Sequence, residues 1–412
     1  MPRPKTEIRV LNQADSDNQP DNALNTASRL CWLRNIDEVA ADDWDRLQCA
    51  DNPFLSHAFL AALEHNGCVS GQSGWIPNHL VLFHGSELYA AMPGYIKMHS
   101  QGEFVFDWSW AEASERAGWR YYPKLISAVP HTPVTGPRFL LAADADPQVS
   151  IDLLTQECIR HAQQHNFSSV HWLFNNAEQS ACMRDNEIVE RWDCQFHWHN
   201  DGYSDFDDYL RALTSKRRKQ VRKERREAAT APVEITLLHG AELGEAEILA
   251  YHALYSSTYD RKWGYPALSF EFFMEMAAQL PDQLILILAR RDGEYVAGAH
   301  LLRGNDTLYG RNWGCHEHYR SLHFEMCYYR GIEYCIEHGL TVFEAGAQGE
   351  HKIFRGFKPV KMRSQHWIRE PALRQAIVEY LQRERSDIDA YIDQMLTHQP
   401  YHQTPDDNCE AR

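Results

Sequence analysis

The sequence predicts a mixed α/β protein that contains two related units. Residues 80–97 and 286–303 share one pattern: an apolar strand, a short polar turn with glycine, and a second strand entered through small residues. This pattern is typical of a β-hairpin. Later in each half comes a helix followed by a strand, at 151–165 with 170–174 and at 322–338 with 341–343. The repeated order of strand pair, helix and strand predicts a duplicated α/β unit.

The polar ends and one basic segment divide the chain. We expect disordered tails at 1–28 and 401–412, because both are polar and lack apolar periodicity. An apolar stripe that begins at Phe206 predicts one long helix from there to about Ala228, closed by Pro232. The predicted organisation is a first unit, a basic connecting helix, a second unit and a C-terminal helix, at 29–204, 205–232, 233–370 and 371–400.

Composition predicts a globular cytoplasmic protein. The 412 residues are 44% hydrophobic, which gives each unit ample core. No apolar run approaches the roughly 20 residues that span a bilayer, so we expect no stable membrane insertion. The N-terminus lacks the basic and apolar regions of a signal peptide. The ten cysteines form no CxxC pair, which favours reduced thiols in the cytoplasm.

Charge is concentrated in one segment. A formal net charge of −16 argues against general nucleic-acid affinity, and we expect no duplex DNA as partner. Residues 216–226, KRRKQVRKERR, nevertheless hold eight basic residues and one acid. The segment is either a solvated helix surface, a site for a phosphate-bearing ligand, or a duplex-binding element. We favour the second and expect the phosphates to contact Lys216, Arg217, Arg218, Lys219, Arg222 and Lys223.

The glycine-rich segment 343–357, FEAGAQGEHKIFRGF, is the strongest candidate for a site. An apolar strand ends there in a carboxylate, and a loop with free backbone and cationic side chains follows. Such a loop suits an anionic or acyl group held beside a base. The residues that carry this prediction are Glu344, Gly346, Gly349, His351, Lys352 and Arg355.

Glu325 is a second candidate base. It falls within the apolar arc of the helix that starts at Leu322, where burial costs several kcal/mol and tends to raise a carboxyl pKa. A raised pKa suits a general base that works near neutral pH. The alternative is a structural ion pair, with Arg311 or Lys352 as partner.

Two further motifs concern ligands. In YGRNWG, residues 309–314, Arg311 offers a planar donor fork and Trp313 an apolar wall for a ligand; the alternative is a purely structural use of the motif. Alternating histidines at 197 and 199 and at 316 and 318 are compatible with zinc, but no cysteine lies at finger-like spacing. We therefore predict no metal site.

Taken together, several strings make the chain resemble the FemAB-like predicted N-acyltransferases, relatives of the Fem peptidoglycan aminoacyltransferases in the wider GNAT superfamily. The strings are NPFLSHAFLAALE (52–64), GEFVFDWSWAEA (102–113), YYPKL (121–125), TPVTGPR (132–138), KRRKQVRKERR (216–226), YGRNWG (309–314), LHFEMCYY (322–329) and EAGAQGEHKIFRGF (344–357). The resemblance implies tandem GNAT-like domains with a cleft between them, and transfer of an acyl or aminoacyl group to an amine.

The sequence departs from the acetyl-CoA-type GNAT pattern at one place. Such enzymes hold the pyrophosphate on a glycine-rich turn before a helix, whereas the corresponding segment here, 320–323, has no glycine and contains His323. The acyl donor is therefore either aminoacyl-tRNA or acyl-CoA, with the departure favouring the former, and no cofactor is assigned. The first unit lacks a counterpart of EAGAQGEHK, so we expect it to be non-catalytic.

The sequence thus predicts an N-acyltransferase that modifies an amine of a phosphate-bearing or cell-wall-precursor-like acceptor. Glu325, or alternatively Glu344, would deprotonate the amine. Lys352 and the backbone N–H groups of the glycine-rich loop would stabilise the oxyanion, while Arg311 and Arg355 would orient a substrate. The alternative function is a non-catalytic protein that binds an anionic lipid, nucleotide or tRNA through the basic helix.

Overall fold

The computed structural model describes residues 28–47, 52–183, 187–260, 266–317, 319–347 and 349–402. Most of the two predicted tails, 1–27 and 403–412, lies outside the described residues. Tyr401, placed in the second tail by the sequence, is ordered: its hydroxyl donates to the Gly356 carbonyl at 2.6 Å, and its backbone bridges to Leu213. The part of the chain that the structure describes therefore extends two residues past the predicted boundary at 400.

The described strands form two sheets. One sheet has the order β1-β3-β4-β7, and the other has the order β10-β11-β12-β13-β14-β9-β15-β8-β6-β5-β2. The strands are β1 (Ser28–Leu33), β2 (Trp75–Pro77), β3 (His79–His84), β4 (Glu87–Met92), β5 (Tyr95–Lys97), β6 (Lys124–Ser127), β7 (Leu140–Leu141), β8 (Ser169–Asn175), β9 (Ile188–His199), β10 (Glu234–His239), β11 (Leu284–Arg291), β12 (Glu294–Arg303), β13 (Thr307–Cys315), β14 (Val342–Glu344) and β15 (Lys358–Ile368).

The described helices include one interrupted element. They are α1 (Ala41–Asp45), α2 (His57–His65), α3 (Trp108–Arg116), α4 (Pro147–Gln164), α5 (Ala177–Cys182), α6 (Phe206–Ala212), α7 (Ser215–Ala229), α8 (Glu245–Asp260), α9 (Phe270–Gln279), α10 (Leu322–Phe324), α11 (Arg330–Glu337) and α12 (Pro371–Leu396). A π-helical turn, Glu325–Tyr329, joins α10 to α11. Among the described helices, none combines the length and apolarity that a membrane crossing requires.

The two sheets confirm the mixed α/β class, and the large sheet repeats the helix-and-strand part of the predicted unit. The predicted hairpins do not correspond, because β3–β4 lies in the four-stranded sheet and β11–β12 in the large sheet. In each half a parallel strand pair is joined through a helix, β6–β8 through α4 and β13–β14 through the α10–α11 element. The last strands of the halves exchange neighbours: β9 lies beside β14, and β15 lies beside β8. Because β9 and β15 also pair with each other, the two units share one continuous sheet.

The predicted long basic helix is instead two helices, α6 and α7. The break falls at Leu213, whose backbone is extended because it pairs with Tyr401, while the Thr214 N–H donates to the Pro400 carbonyl at 2.7 Å. A distant segment thus interrupts a locally helical pattern. The predicted C-terminal helix 371–400 ends earlier, at Leu396.

Helix α7 is anchored to the second unit by a buried carboxylate. Glu224 accepts hydrogen bonds from Nη2 and Nε on one edge of the Arg355 guanidinium, at 2.8 and 3.1 Å, and from the Tyr329 hydroxyl. Val221 and Ala228 complete the buried face of the helix. The basic segment therefore lies directly against the π-helical turn and the 3₁₀ helix Glu350–Arg355 of the glycine-rich segment.

Candidate active site

Glu344 is the centre of a buried polar cluster. It is the last residue of β14, where it pairs in register with Tyr309 on β13 and with His197 on β9. Its carboxylate lies 4.0 Å from His197 Nε2, and the residue is 6% exposed. The strand-end carboxylate predicted from the sequence is therefore enclosed by two neighbouring strands.

Arg311 is the cation nearest to this carboxylate. Its Nη2 lies 3.5 Å from Glu344 Oε2, its Nη1 donates to the Gly310 carbonyl at 2.9 Å, and its guanidinium lies 4.7 Å from the Phe54 ring centroid. Burial raises the pKa of Glu344 to about 7, against the lowering effect of Arg311. Burial also lowers the pKa of Arg311. The carboxyl group is thus balanced between its two charge states near neutral pH.

The first unit contributes residues that the sequence analysis missed. The Thr135 backbone N–H hydrogen-bonds the Glu344 carboxylate, and the charge of Arg138 acts on the same group. Asn52 Nδ2 donates to the Thr135 carbonyl at 3.1 Å. These residues lie in NPFLSHAFLAALE and TPVTGPR, strings that carried the family resemblance but had no role assigned. The first unit therefore helps to build the centre around Glu344.

Lys352 is the second buried titratable group of the site. It is 1% exposed, and its Nζ donates to the Gly346 carbonyl. Burial, with a smaller contribution from Arg311, lowers its pKa to about 7. The loop reaches this geometry through Gly346 and Gly349, whose φ angles of 82° and 116° are accessible mainly to glycine. The loop therefore adopts backbone conformations that require glycine at these two positions, as the sequence predicted.

Aromatic rings and imidazoles form a rim around Lys352. The Tyr328 hydroxyl lies 2.9 Å from His351 Nε2, and the Trp313 and His323 rings lie 5.4 Å apart. Burial lowers the pKa of His323 to about 4, so its imidazole is neutral at pH 7. Most of these side chains are half-buried and in reach of a ligand: Trp313, His323, Phe324 and His351. The sequence analysis had assigned no role to Phe324 or Tyr328.

Glu325 belongs to a different cluster. Its two oxygens accept hydrogen bonds from Arg225 at 3.0 and 3.2 Å, and Oε1 lies 3.3 Å from Arg330 Nε. The predicted partners, Arg311 and Lys352, are wrong, because α7 brings Arg225 to this carboxylate instead. Both oxygens are occupied by guanidinium groups, which favours the structural ion pair over a role as base.

Arg355 is also committed to a structural contact. Besides its bonds to Glu224, its Nη1 donates to the His351 carbonyl at 2.7 Å, and its guanidinium lies 3.6 Å from the Phe324 ring centroid. The residue is 3% exposed. The prediction that Arg355 orients a substrate does not fit this arrangement, because its donors anchor α7 and the loop.

The side chains of the basic segment 216–226, called the basic strip below, differ in their exposure to solvent. Lys216, Lys219, Arg222 and Lys223 are exposed, whereas Arg217 and Arg218 are half-buried, and Arg217 stacks at 3.8 Å from the Phe354 ring centroid. A cavity of about 1020 Å³ lies between α6, α7 and α11. Its charged lining is Lys219, Arg222, Lys223, Arg225, Arg226, Asp205, Asp207, Glu333 and Glu337. Acidic side chains therefore offset much of the positive charge on this side of α7.

Metal-ligand geometry does not arise in the part of the chain that the structure describes. No group of three or more His, Cys, Asp and Glu side chains there could hold a metal ion. His318, one of the four histidines considered from the sequence, lies outside the described residues.

Several solved structures are similar to this one over most of their length. The structure is similar to the C-terminal domain of a putative lysylphosphatidylglycerol synthetase from Agrobacterium fabrum, with 10% identity, a TM-score of 0.50, and 82% of this chain and 95% of that chain covered. It is also similar to FemX, with 11% identity, a TM-score of 0.49, and coverage of 75% and 92%. A third similar structure is L-PGS from Bacillus licheniformis, with 12% identity, a TM-score of 0.48, and coverage of 78% and 95%.

Sequence comparison gives the family. No curated protein matches the sequence. The family model FemAB-like, described as peptidoglycan biosynthesis/recognition, matches residues 35–403, which is most of the chain. The chain therefore belongs to the FemAB-like family, as the sequence resemblance predicted.

Proposed function

We propose that this protein transfers an aminoacyl group to an amine of a cell-wall-precursor-like acceptor, with Glu344 as general base. What supports this most is that two buried groups, the Glu344 carboxyl and the Lys352 amine, both have pKa values of about 7. Perturbed groups of this kind gather at catalytic sites. Arg311 acts electrostatically on both groups and so links them.

Glu344 supplies the proton acceptor that the reaction requires. An alkyl amine is mostly protonated near pH 7 and must lose a proton before it can attack. In our scheme the ammonium proton moves to the Glu344 carboxylate. The neutral amine nitrogen then bonds to the acyl carbon and loses a second proton. The ester or thioester bond of the donor breaks, and the leaving oxygen or sulfur takes up that proton. Since Glu344 is almost fully enclosed, its basicity at neutral pH comes from burial.

Lys352 and the glycine-rich loop supply the donors that stabilise negative charge on the acyl oxygen. The protonated Lys352 ammonium and the backbone N–H groups of Gly346 and Gly349 stabilise the oxyanion of the tetrahedral intermediate. These donors act strongly because the site is poorly hydrated. Arg311 keeps the Glu344 side chain in place, and the half-buried rim of Trp313 and His323 contacts the donor.

Features outside the buried residues favour one kind of donor and one kind of acceptor. The segment before α10 lacks the glycine-rich turn of a CoA-binding enzyme, which favours an aminoacyl-tRNA. The exposed cations Lys216, Lys219, Arg222 and Lys223 suit its phosphates. The family description, peptidoglycan biosynthesis/recognition, favours a precursor amine as acceptor. In this scheme the second unit, 233–370, carries the reacting groups, the first unit, 29–204, supports them, and transfer occurs in the cytoplasm.

Mass spectrometry of the acceptor tests the proposal. Purified protein is incubated with a uridine-diphosphate-linked muropeptide that has a free lysine amine, and with either mixed aminoacyl-tRNA or acetyl-CoA. We expect an added amino-acid residue only with the charged tRNA, and protein-dependent loss of the aminoacyl ester. An acetylated product from acetyl-CoA alone would overturn the aminoacyl donor. No product and no ester loss in a folded protein would contradict the proposed transfer.

A further inference from the structure

The helical element from Leu322 to Glu337 begins after a residue with an unusual backbone. The element runs without a break through α10, the π-helical turn and α11. Ser321, which precedes it, has a φ angle of 61°, in the left-handed region that residues other than glycine seldom adopt. The Ser321 side chain forms no capping hydrogen bond with the first turn. The start of the helix is therefore not closed by its own N-cap residue.

A carboxylate from α7 lies at this position instead. The Ser321 hydroxyl donates to Glu227 Oε2 at 2.8 Å, and Arg320 Nε lies 3.2 Å from the same oxygen. Lys223 Nζ lies 3.9 Å from the other oxygen, Oε1. A helix N-terminus carries a partial positive charge and therefore attracts anions. Glu227 thus supplies, from within the chain, the negative charge that this helix start favours.

Helix α7 holds the Glu227 carboxylate in place. Glu227 lies about one helical turn after Glu224, which is bound by the buried Arg355 guanidinium and the Tyr329 hydroxyl. The Glu227 side chain is 22% exposed, whereas that of Arg320 is 74% exposed. The carboxylate is therefore an anchored part of the surface, while the arginine beside it extends into solvent.

These residues do not fit the phosphates of an acyl-CoA donor, which the wider GNAT superfamily implies. Enzymes that hold a phosphate at a helix N-terminus leave its backbone N–H groups open to the ligand. Here an anchored carboxylate lies at the helix start, and like charges a few ångströms apart repel each other. The cations on either side of it, Lys223 and Arg320, are already paired with that carboxylate.

We propose that Glu227 is a specificity-determining residue, whose carboxylate excludes acyl-CoA from the start of the helix Leu322–Glu337. This inference rests on the proposed function, since it concerns which donor the site accepts. The absence of glycine from the segment 320–323 does not account for the exclusion alone, because Ser321 already has a φ angle typical of glycine. The charge of Glu227 is the feature that distinguishes this turn from a phosphate-binding one.

Calorimetric titration with coenzyme A, and with inorganic pyrophosphate as a minimal probe, tests the inference without turnover. At low salt we expect no saturable binding to the wild type and saturable binding to Glu227→Gln, with affinity raised about tenfold or more. The glutamine oxygen still accepts from the Ser321 hydroxyl, so the local hydrogen bond remains. Glu227→Asp keeps the charge and should exclude both probes. Glu337→Gln removes the same charge at the other end of the helix and is the matched control.

Three results would overturn the inference. Equal binding of coenzyme A by the wild type and Glu227→Gln would show that the carboxylate excludes nothing. No binding by either protein would assign the exclusion to other parts of the surface. Equal gains in Glu227→Gln and Glu337→Gln would assign the effect to overall charge. Because binding is measured rather than transfer, each of these failures is distinct from a failure of the proposed function.

Discussion

Arg311 Nη2 and Glu344 Oε2 lie 3.5 Å apart, Arg311 within β13 and Glu344 at the end of the adjacent parallel strand β14, and both side chains are almost completely enclosed. Their attraction only partly offsets the cost of burial, since the pKa of Glu344 still rises to about 7. A buried ion pair contributes little net stability, because the cost of desolvating both charges offsets their attraction. We therefore regard the Arg311–Glu344 pair as part of the site chemistry, with Lys352 as its counterpart in the glycine-rich loop.

The rate of transfer should depend on pH as a narrow bell. Glu344 acts as base only when ionised, which requires a pH above about 7, and Lys352 stabilises the oxyanion only when protonated, which requires a pH below about 7. We expect kcat/KM to be greatest near pH 7 and to fall on both sides. A profile that is flat from pH 6 to 8 would exclude this assignment of the two groups.

Loss of the Glu224 carboxylate should destabilise the protein. Glu224→Gln leaves the buried Arg355 guanidinium without its counter-charge, and breaking a buried pair in this way costs about 3–5 kcal/mol. Urea unfolding measures the free-energy change. The matched control is Glu227→Gln on the same helix. The charged partners of Glu227, Lys223 and Arg320, are exposed, and the Gln oxygen can still accept from the Ser321 hydroxyl, so the loss of charge should cost about 1 kcal/mol or less. Equal losses would contradict the anchoring role of Glu224.

Neutralising the exposed part of the basic strip should weaken substrate binding and leave chemistry intact. In a Lys216→Gln, Lys219→Gln, Lys223→Gln triple variant we expect KM for the phosphate-bearing substrate to rise at low salt and its salt dependence to become shallower. The value of kcat should remain close to that of the wild type. The control is Arg226→Gln, outside the predicted contact set. A triple variant with wild-type KM at low salt would remove the strip from substrate binding.

Local sequence patterns predicted the elements that depend on nearby residues. The hairpins β3–β4 and β11–β12, the helix that begins at Leu322 and the strand that ends at Glu344 all follow from periodicity and turn residues. Gly346 and Gly349 were predicted to free the backbone, and their positive φ angles agree. The residues that determine such features lie within a few positions of one another in the sequence.

Features that depend on distant partners could not be predicted in this way. The break at Leu213 requires Pro400 and Tyr401, and the pairing of Glu325 requires Arg225 from another helix. The π-helical turn that carries Glu325 has no counterpart in the apolar periodicity. Thr135 contacts Glu344 because β9 and β15 exchange neighbours between the units, an arrangement that a single sequence does not encode locally.

The most direct test of the central claim compares turnover in Glu344→Gln and Glu325→Gln, each shown to be folded by circular dichroism. The two variants remove the same charge, one from the Arg311 pair and one from the Arg225 pair. We expect Glu344→Gln to lower kcat by about 10²- to 10⁴-fold, the range that general base catalysis supplies. Glu325→Gln should stay within about tenfold of the wild type. Wild-type turnover in Glu344→Gln would contradict the assignment of Glu344 as the base.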